Sequence, residues 1–128
     1  MVTYNVSTGT PVILDHQERK IVSKNIQKAA DRHAINILMW NVLPDHVHII
    51  LSAENKTSLN ELVRKIKGFT SYQLKKSLGW YSGEPIWAQK FHHTLIEHPQ
   101  TLINIINYTW DNHLKHQDKW DISRYRHR

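Results

Sequence analysis

One short segment, residues 46–52, most limits the folds open to this 128-residue chain, because its apolar and polar side chains alternate. Successive side chains of a β-strand point to opposite faces of a sheet. The segment therefore predicts a strand with Val47, Ile49 and Leu51 on one face and both of its histidines on the other. A strand of this kind fits an antiparallel sheet whose apolar face is covered by helices.

The rest of the chain predicts strands and helices in the order β-α-β-β-α-β-α. Strands are predicted over residues 2–7, 35–43, 46–52 and 91–96. The first helix is predicted from the Asp15/Glu18 cap to about Arg32, and the second from a Ser58/Glu61 capping box to near Gly79. The third helix is predicted from Pro99 to about Gln117. The first six elements match a ferredoxin-like βαββαβ arrangement, an α+β fold with two helices on one face of an antiparallel sheet. The last helix is then free to cover the other face. We expect one domain over residues 1–117 and a basic tail over residues 118–128.

Composition narrows the function classes. Lys and Arg number 17 against 11 Asp and Glu, giving a net charge of +6, which favours a polyanionic partner but also suits an ordinary basic surface. The absence of cysteine excludes disulfide frameworks, thiolate metal sites and thiol catalysis. The sequence contains neither a secretory signal nor an apolar run long enough to span a membrane, so a cytoplasmic protein with no membrane partner is expected.

His46 and His48 are the first candidate site. Two residues along a strand span about 6.6 Å, so two imidazoles on one face can converge on a single metal ion. The same spacing also describes a pair of surface histidines. A histidine-triad nucleotide hydrolase would need a third histidine at position 50, where Ile50 stands.

The last two helices carry further candidates. Tyr108 and Asn112 lie four residues apart and so share one face of the last helix, although a tyrosine there is equally compatible with simple packing. Arg64, Lys67 and Lys75 lie along one side of the middle helix. They predict a DNA-binding stripe that follows phosphates, or else a solvated helix face.

These residues together resemble a known family. Residues 43–51, LPDHVHIIL, resemble the HUH motif of small insertion-sequence transposases, and the predicted helix over residues 59–76, with its KIKG run at 65–68, resembles the helix that follows this motif. Residues 86–91, centred on Trp87, resemble a segment of the branch associated with repeated extragenic palindromes (REP). Tyr108 followed by Asn112 resembles the family's catalytic tyrosine and polar partner. Over about residues 35–117, the chain thus resembles the single-tyrosine HUH transposases, near the REP-associated tyrosine transposases.

The resemblance implies a ferredoxin-like, metal-dependent transposase or endonuclease acting on single-stranded DNA, which often contains a hairpin. It implies that His46, His48 and Asn112 bind a divalent cation, Mg²⁺ or Mn²⁺. Tyr108 would attack a DNA phosphate and form a 5′-phosphotyrosine intermediate, followed by strand transfer or rejoining. Members of the family include monomers and dimers; both states stay open, and a homodimer is favoured.

Two alternatives belong to other function classes. A non-catalytic module of ferredoxin-like fold that binds single-stranded nucleic acid would need the basic helix but neither the histidines nor Tyr108. A metal-dependent phosphoesterase would need the histidines but not Tyr108. A covalent protein–DNA adduct distinguishes the transposase from both.

Overall fold

A computed structural model describes residues 1–79 and 85–115, with side chains given up to residue 108. Its elements are β1 (Val2–Gly9), α1 (His16–Arg32), β2 (Ile37–Val42), β3 (His46–Ala53), α2 (Lys56–Leu78), β4 (His92–Ile96) and α3 (Pro99–Lys115). The element order predicted from the sequence is confirmed. None of the helices in these two ranges is long and apolar enough to cross a membrane. The tail expected over residues 118–128 lies outside the described residues.

The four strands form one sheet in the order β2-β3-β1-β4, and every neighbouring pair is antiparallel. This is the ferredoxin-like α+β topology predicted from the element order. β1 and β3 occupy the two central positions, so each is hydrogen-bonded on both sides. The strand that carries the two histidines is therefore held between neighbours along its whole length.

The main core lies between the sheet and the first two helices. Val47, Ile49 and Leu51 of β3 are at most 1% exposed and belong to this core, as the alternating pattern predicted. The helices contribute Val22, Ile26, Ala29 and Ala30 from α1 and Leu59, Val63, Ile66 and Leu74 from α2. Burial of these side chains is the main stabilising contribution, at about 1.5–3 kcal/mol for each large aliphatic group.

The opposite face of the sheet carries a smaller apolar cluster. Met39, Ile50 and Ile96 are buried there, and Leu102, Ile105 and Ile106 of α3 pack against them. The expectation that the last helix covers this second face is therefore confirmed. α3 consequently lies over the same face as His46 and His48.

A β-bulge in β2 places Met39 in this second cluster. Ile37 pairs with Leu51, whereas Met39 pairs with Ile50, so β2 has one residue more than β3 between these two pairs. Residues two apart normally share a face, but Ile37 lies in the main core and Met39 on the α3 side. The bulge therefore gives β2 a large apolar side chain on each face.

Several predicted helix ends agree with the structure, whereas the predicted start of α2 does not. Asp15 and Glu18 form the predicted capping box, and Gly79 ends α2 in the left-handed conformation with φ 63°. The predicted Ser58/Glu61 box at the start of α2 is wrong. The cap is Asn55, whose side-chain oxygen accepts a hydrogen bond from the Ser58 backbone N–H at 2.9 Å. Glu61 instead accepts from Arg64, so it does not return to the helix start.

Replacing Asn55 with Ala should lower the free energy of unfolding by about 1 kcal/mol, because the N–H of Ser58 loses its acceptor. Ser58→Ala removes a side chain that plays no part in this cap and should change stability by no more than about 0.5 kcal/mol. Urea unfolding of the two variants, with unchanged m-values, measures the difference. A larger loss for Ser58→Ala than for Asn55→Ala would contradict this assignment of the cap.

Candidate active site

The two histidines lie together on the α3 face of the sheet. Their ring centroids are 4.8 Å apart and the rings are nearly perpendicular, at 83°. Both side chains are half-buried, so they are accessible yet held by their surroundings. The strand spacing thus brings the two imidazoles into contact, as expected from the sequence.

Asp45 fixes the orientation of His46. The Nδ1 and the Asp45 Oδ1 are 2.7 Å apart, and this hydrogen bond lowers the pKa of the Asp45 carboxyl below its usual value. When Nδ1–H donates to the carboxylate, the Nε2 lone pair is the one left for a ligand. Carboxylates that orient histidines in this way are common behind metal sites. The sequence analysis overlooked this role for Asp45, although its position directly before His46 is a usable signal.

His48 lies in a less polar environment. Burial, and secondarily the neighbouring His46, lowers the pKa of the His48 imidazole below its usual value near 6.5. The imidazole is therefore neutral at physiological pH, which is the form that binds metal ions. Across the sheet His48 pairs with Asn41 of β2 and Ser7 of β1, and Ser7 pairs in turn with His92 of β4. His92, rather than His93, is thus the histidine of β4 that shares this face.

A cleft of about 350 Å³ between the sheet and α3 brings His48 and Tyr108 together. Tyr108 is 73% exposed, so its side chain is not a packed core residue. His48 and Tyr108 of the same chain line this cleft. Asn112 lies one turn beyond Tyr108 in α3, but its side chain lies outside the described residues.

The inner surface of this cleft, which we call the α3 cleft, is mainly apolar. Met39, Ile50 and Ile105 form its apolar lining. Two amide side chains, Asn5 of β1 and Asn104 of α3, line it as well. Neither asparagine could be predicted from the sequence, because Asn5 and Asn104 line one cleft only when α3 packs on the sheet.

The basic residues predicted on α2 lie in a different place. Arg64, Lys67 and Lys75 all line a groove of about 490 Å³ between α2 and residues 85–91, which we call the α2 groove. Arg64 donates to both carboxylate oxygens of Glu61 at 2.7 Å. The ammonium of Lys67 donates to the Ala88 carbonyl at 2.9 Å, and burial lowers the pKa of Lys67. The three side chains therefore line one groove, and two of the three cations already have partners within the chain.

Residues 85–91 connect the α2 groove to the histidine end of the sheet. The Trp87 indole N–H donates to the Thr70 hydroxyl at 3.1 Å, which attaches this segment to α2. The Ala88 N–H donates to the Gly9 carbonyl at 2.9 Å, and Gly9 is the partner of His46 in the sheet. The segment that lines one side of the groove is therefore bonded to the strand pair that carries His46.

The donor set at the histidine pair suits a divalent cation. One imidazole is oriented by a carboxylate and the other is kept neutral, and both belong to a strand fixed on either side. Within the parts of the chain that the structure describes, no group of three or more His, Cys, Asp or Glu side chains could hold a metal ion. A third protein ligand would therefore be of another residue type, such as an amide, or lie elsewhere in the chain.

Comparison with known proteins agrees with this architecture. The chain is similar to a REP-associated tyrosine transposase solved bound to a REP hairpin, with a TM-score of 0.66 and 21% identity over 90% of this chain and 68% of that chain. It is also similar to a proposed transposase from Deinococcus radiodurans, with a TM-score of 0.65 and 16% identity over 86% of this chain and 89% of that one. At these identities the similarity shows the fold. Among curated proteins, no sequence matches the chain significantly.

The family described as "Transposase IS200 like" matches residues 9–112, most of the chain. The chain belongs to this family of IS200-like transposases. The family assignment made from the sequence motifs is therefore confirmed, and it supports an enzymatic role in transposition.

Lys67→Met should lower the free energy of unfolding by about 1 kcal/mol, because it removes the hydrogen bond to the Ala88 carbonyl while keeping most of the aliphatic packing. Lys75→Met, in the same groove, removes an equal charge without this bond and should have an effect within about 0.5 kcal/mol. Thermal or urea unfolding at matched salt measures both. Equal stability of the two variants would show that the Lys67–Ala88 contact contributes nothing to the fold.

Proposed function

We propose that this transposase is a metal-dependent enzyme that cuts single-stranded DNA, with Tyr108 as the nucleophile beside His46 and His48. The observation that carries the proposal is the α3 cleft, which His48 and an exposed Tyr108 of the same chain line together. A phosphate held at the histidines would lie within the region that Tyr108 occupies. Proximity of this kind accounts for a large part of catalysis when the reacting groups are aligned.

His46, His48 and the amide oxygen of Asn112 are the residues that would hold the divalent cation, Mg²⁺ or Mn²⁺. The cation, when bound, would withdraw negative charge from the scissile phosphate and orient it. The hydrogen bond from His46 to Asp45 would keep the Nε2 atom directed outward, and the burial of His48 would keep its imidazole unprotonated. An oxygen ligand such as Asn112 would make the site more suitable for hard cations, which prefer oxygen.

The cleavage step exchanges one ester bond for another. The Tyr108 Oη loses its proton and forms a bond to phosphorus, while the bond between phosphorus and the 3′ oxygen of the preceding nucleotide breaks. That 3′ oxygen takes up a proton and leaves as a hydroxyl, and the 5′ phosphate stays on Tyr108. Because the phosphotyrosine retains an ester bond, a later attack by a 3′-hydroxyl can rejoin or transfer the strand without another energy source.

The α2 groove is the proposed path of the DNA backbone. Arg64 and Lys75 line it with Lys67, and the segment that lines one side of it is bonded to the strand pair that carries His46. A similar transposase was solved with a DNA hairpin, which supports hairpin-containing single-stranded DNA as the partner of this chain. Binding through phosphates should weaken as salt rises, because bound cations are released from DNA.

The proposed catalytic unit is a single chain. His48 and Tyr108 of one molecule line the same cleft, which supports cleavage within a single chain. We propose that residues 1–117 form this unit. The homodimer favoured by the family resemblance stays a prediction.

Tyr108→Phe should abolish the covalent adduct while DNA binding is retained, because only the nucleophilic oxygen is removed. The measurement uses hairpin oligonucleotides labelled at the 3′ end, since the fragment linked to Tyr108 carries that end into the shifted band on a denaturing gel. Tyr72→Phe is the matched control, because Tyr72 is also exposed, at 61%, and lies on α2. The control should form the adduct at the wild-type rate.

Three outcomes of this experiment would contradict the proposal. An adduct that survives in Tyr108→Phe would assign the nucleophile to another residue. Cleavage without an adduct in the wild type would indicate a phosphoesterase that uses water. Binding without cleavage in the presence of Mg²⁺ or Mn²⁺ would indicate a non-catalytic module.

Replacing both His46 and His48 with Ala should reduce the affinity for Mn²⁺ at least tenfold, because the cation loses two of its protein ligands. Calorimetric titration of the DNA-free protein measures the affinity without reference to cleavage. His92→Ala is the control, since His92 lies on the same face but beyond β1 from His48 and should leave the affinity unchanged. Equal Mn²⁺ affinity in wild type and double variant would overturn the assignment of the metal site.

A further inference from the structure

We propose that the α3 cleft binds a single unpaired nucleobase next to the phosphate that Tyr108 attacks, and that Asn104 helps to select this base. The inference rests on the proposed function, because it needs a DNA strand at His48 and Tyr108. It adds a specificity subsite to that function. The cleft, at about 350 Å³, falls in the range of small-molecule sites, roughly 300–1,000 Å³.

The chemistry of the lining favours a base over a phosphate. The eight described residues that line the cleft include no Lys, Arg, Asp or Glu. Away from His48, a phosphate would therefore find no ammonium or guanidinium partner there, whereas the α2 groove is lined by three such groups, two of which also bond within the chain. A nucleobase is uncharged, with flat apolar faces and a polar edge. The bound DNA can thus contact two surfaces of the protein, with its phosphate backbone in the α2 groove and one base in the α3 cleft.

The apolar lining provides a surface for the flat face of the base. Ile105 and Tyr108 of α3 supply the accessible part of this surface, while Met39 and Ile50 lie beneath it and are at most 1% exposed. Apolar and aromatic side chains hold bases that are turned out of a stack.

Two amides provide groups for the polar edge. The Asn104 Oδ1 accepts a hydrogen bond from the Gln100 Nε2 at 2.9 Å, so the amide of Asn104 is already oriented. Its amide N–H₂ remains a donor for a ligand, and Oδ1 keeps a second lone pair. Asn5 lines the cleft from β1 and can both donate and accept. Asparagine is among the residues that read base edges, since its amide can pair with ring and exocyclic groups of a base.

The position of the cleft indicates which base is bound. His48 and Tyr108, which define where the phosphate would be cut, are themselves part of the lining. A base in the cleft must therefore belong to a nucleotide flanking the cleaved phosphate. Discrimination at this position would depend on the protein directly, independently of how the hairpin is bound elsewhere.

The test measures adduct formation with hairpin oligonucleotides randomised at the two positions that flank the cleaved phosphate. Wild-type protein should prefer particular bases at one of the two positions, and Asn104→Ala should reduce that preference about 5- to 10-fold through loss of a hydrogen bond. Asn107→Ala is the matched control, because Asn107 is an exposed asparagine of the same helix that does not line the cleft. It should keep the wild-type preference.

A second measurement removes the base instead of the side chain. An abasic site at the preferred position should lower adduct formation by about 10- to 100-fold, since stacking of the base is lost. If wild type cuts the abasic oligonucleotide as fast as the intact one, or Asn104→Ala keeps the wild-type preference, the subsite is wrong while the proposed function stands. If no oligonucleotide gives an adduct with wild type, the proposed function fails first and the subsite with it.

Discussion

The rest of the structure depends on β3, whose two faces have different roles. One face must be apolar, because α1 and α2 bury Val47, Ile49 and Leu51 against it. The other face is then free to carry His46 and His48, since their side chains contribute nothing to that core. β3 also lies between two other strands, so its backbone is bonded on both sides. The fold thus fixes the position of the histidines through the same strand that holds the core together.

Much of this arrangement could be predicted from the sequence, because it follows local rules. Period-two alternation identified β3, the Asp15/Glu18 pair marked the start of α1, and Gly79 marked the end of α2. The cap of α2 was misassigned because Ser58 and Glu61 have the right spacing, but Asn55, three residues earlier, bonds the Ser58 N–H first. The spacing of residues alone could not show whether Asn55 or Ser58 caps the start of α2.

The features that the sequence could not show depend on contacts between distant segments. The bulge that turns Met39 toward α3 appears only in the register between β2 and β3. Lys67 follows the spacing of a solvated helix face, yet its ammonium is bound by the carbonyl of Ala88, 21 residues away. Asn5 and Asn104 likewise line one cleft only when β1 and α3 are assembled. Charge and spacing indicated which basic and polar residues were candidates for binding, whereas packing determines which of them are available to a ligand.

The small area over which α3 packs on the sheet makes this helix easier to displace than the strands beneath it. Its packing on the sheet uses Leu102, Ile105 and Ile106, while Ile103, Asn104 and Tyr108 among its described side chains remain exposed. Displacing this helix disrupts a small cluster, whereas displacing β3 would require the sheet and main core to open. Hydrogen exchange would therefore report a lower opening free energy for α3 than for β3. In the proposed mechanism, the hydroxyl of Tyr108 would therefore lie on the element that is easier to displace, and the imidazoles on the one that is harder to displace.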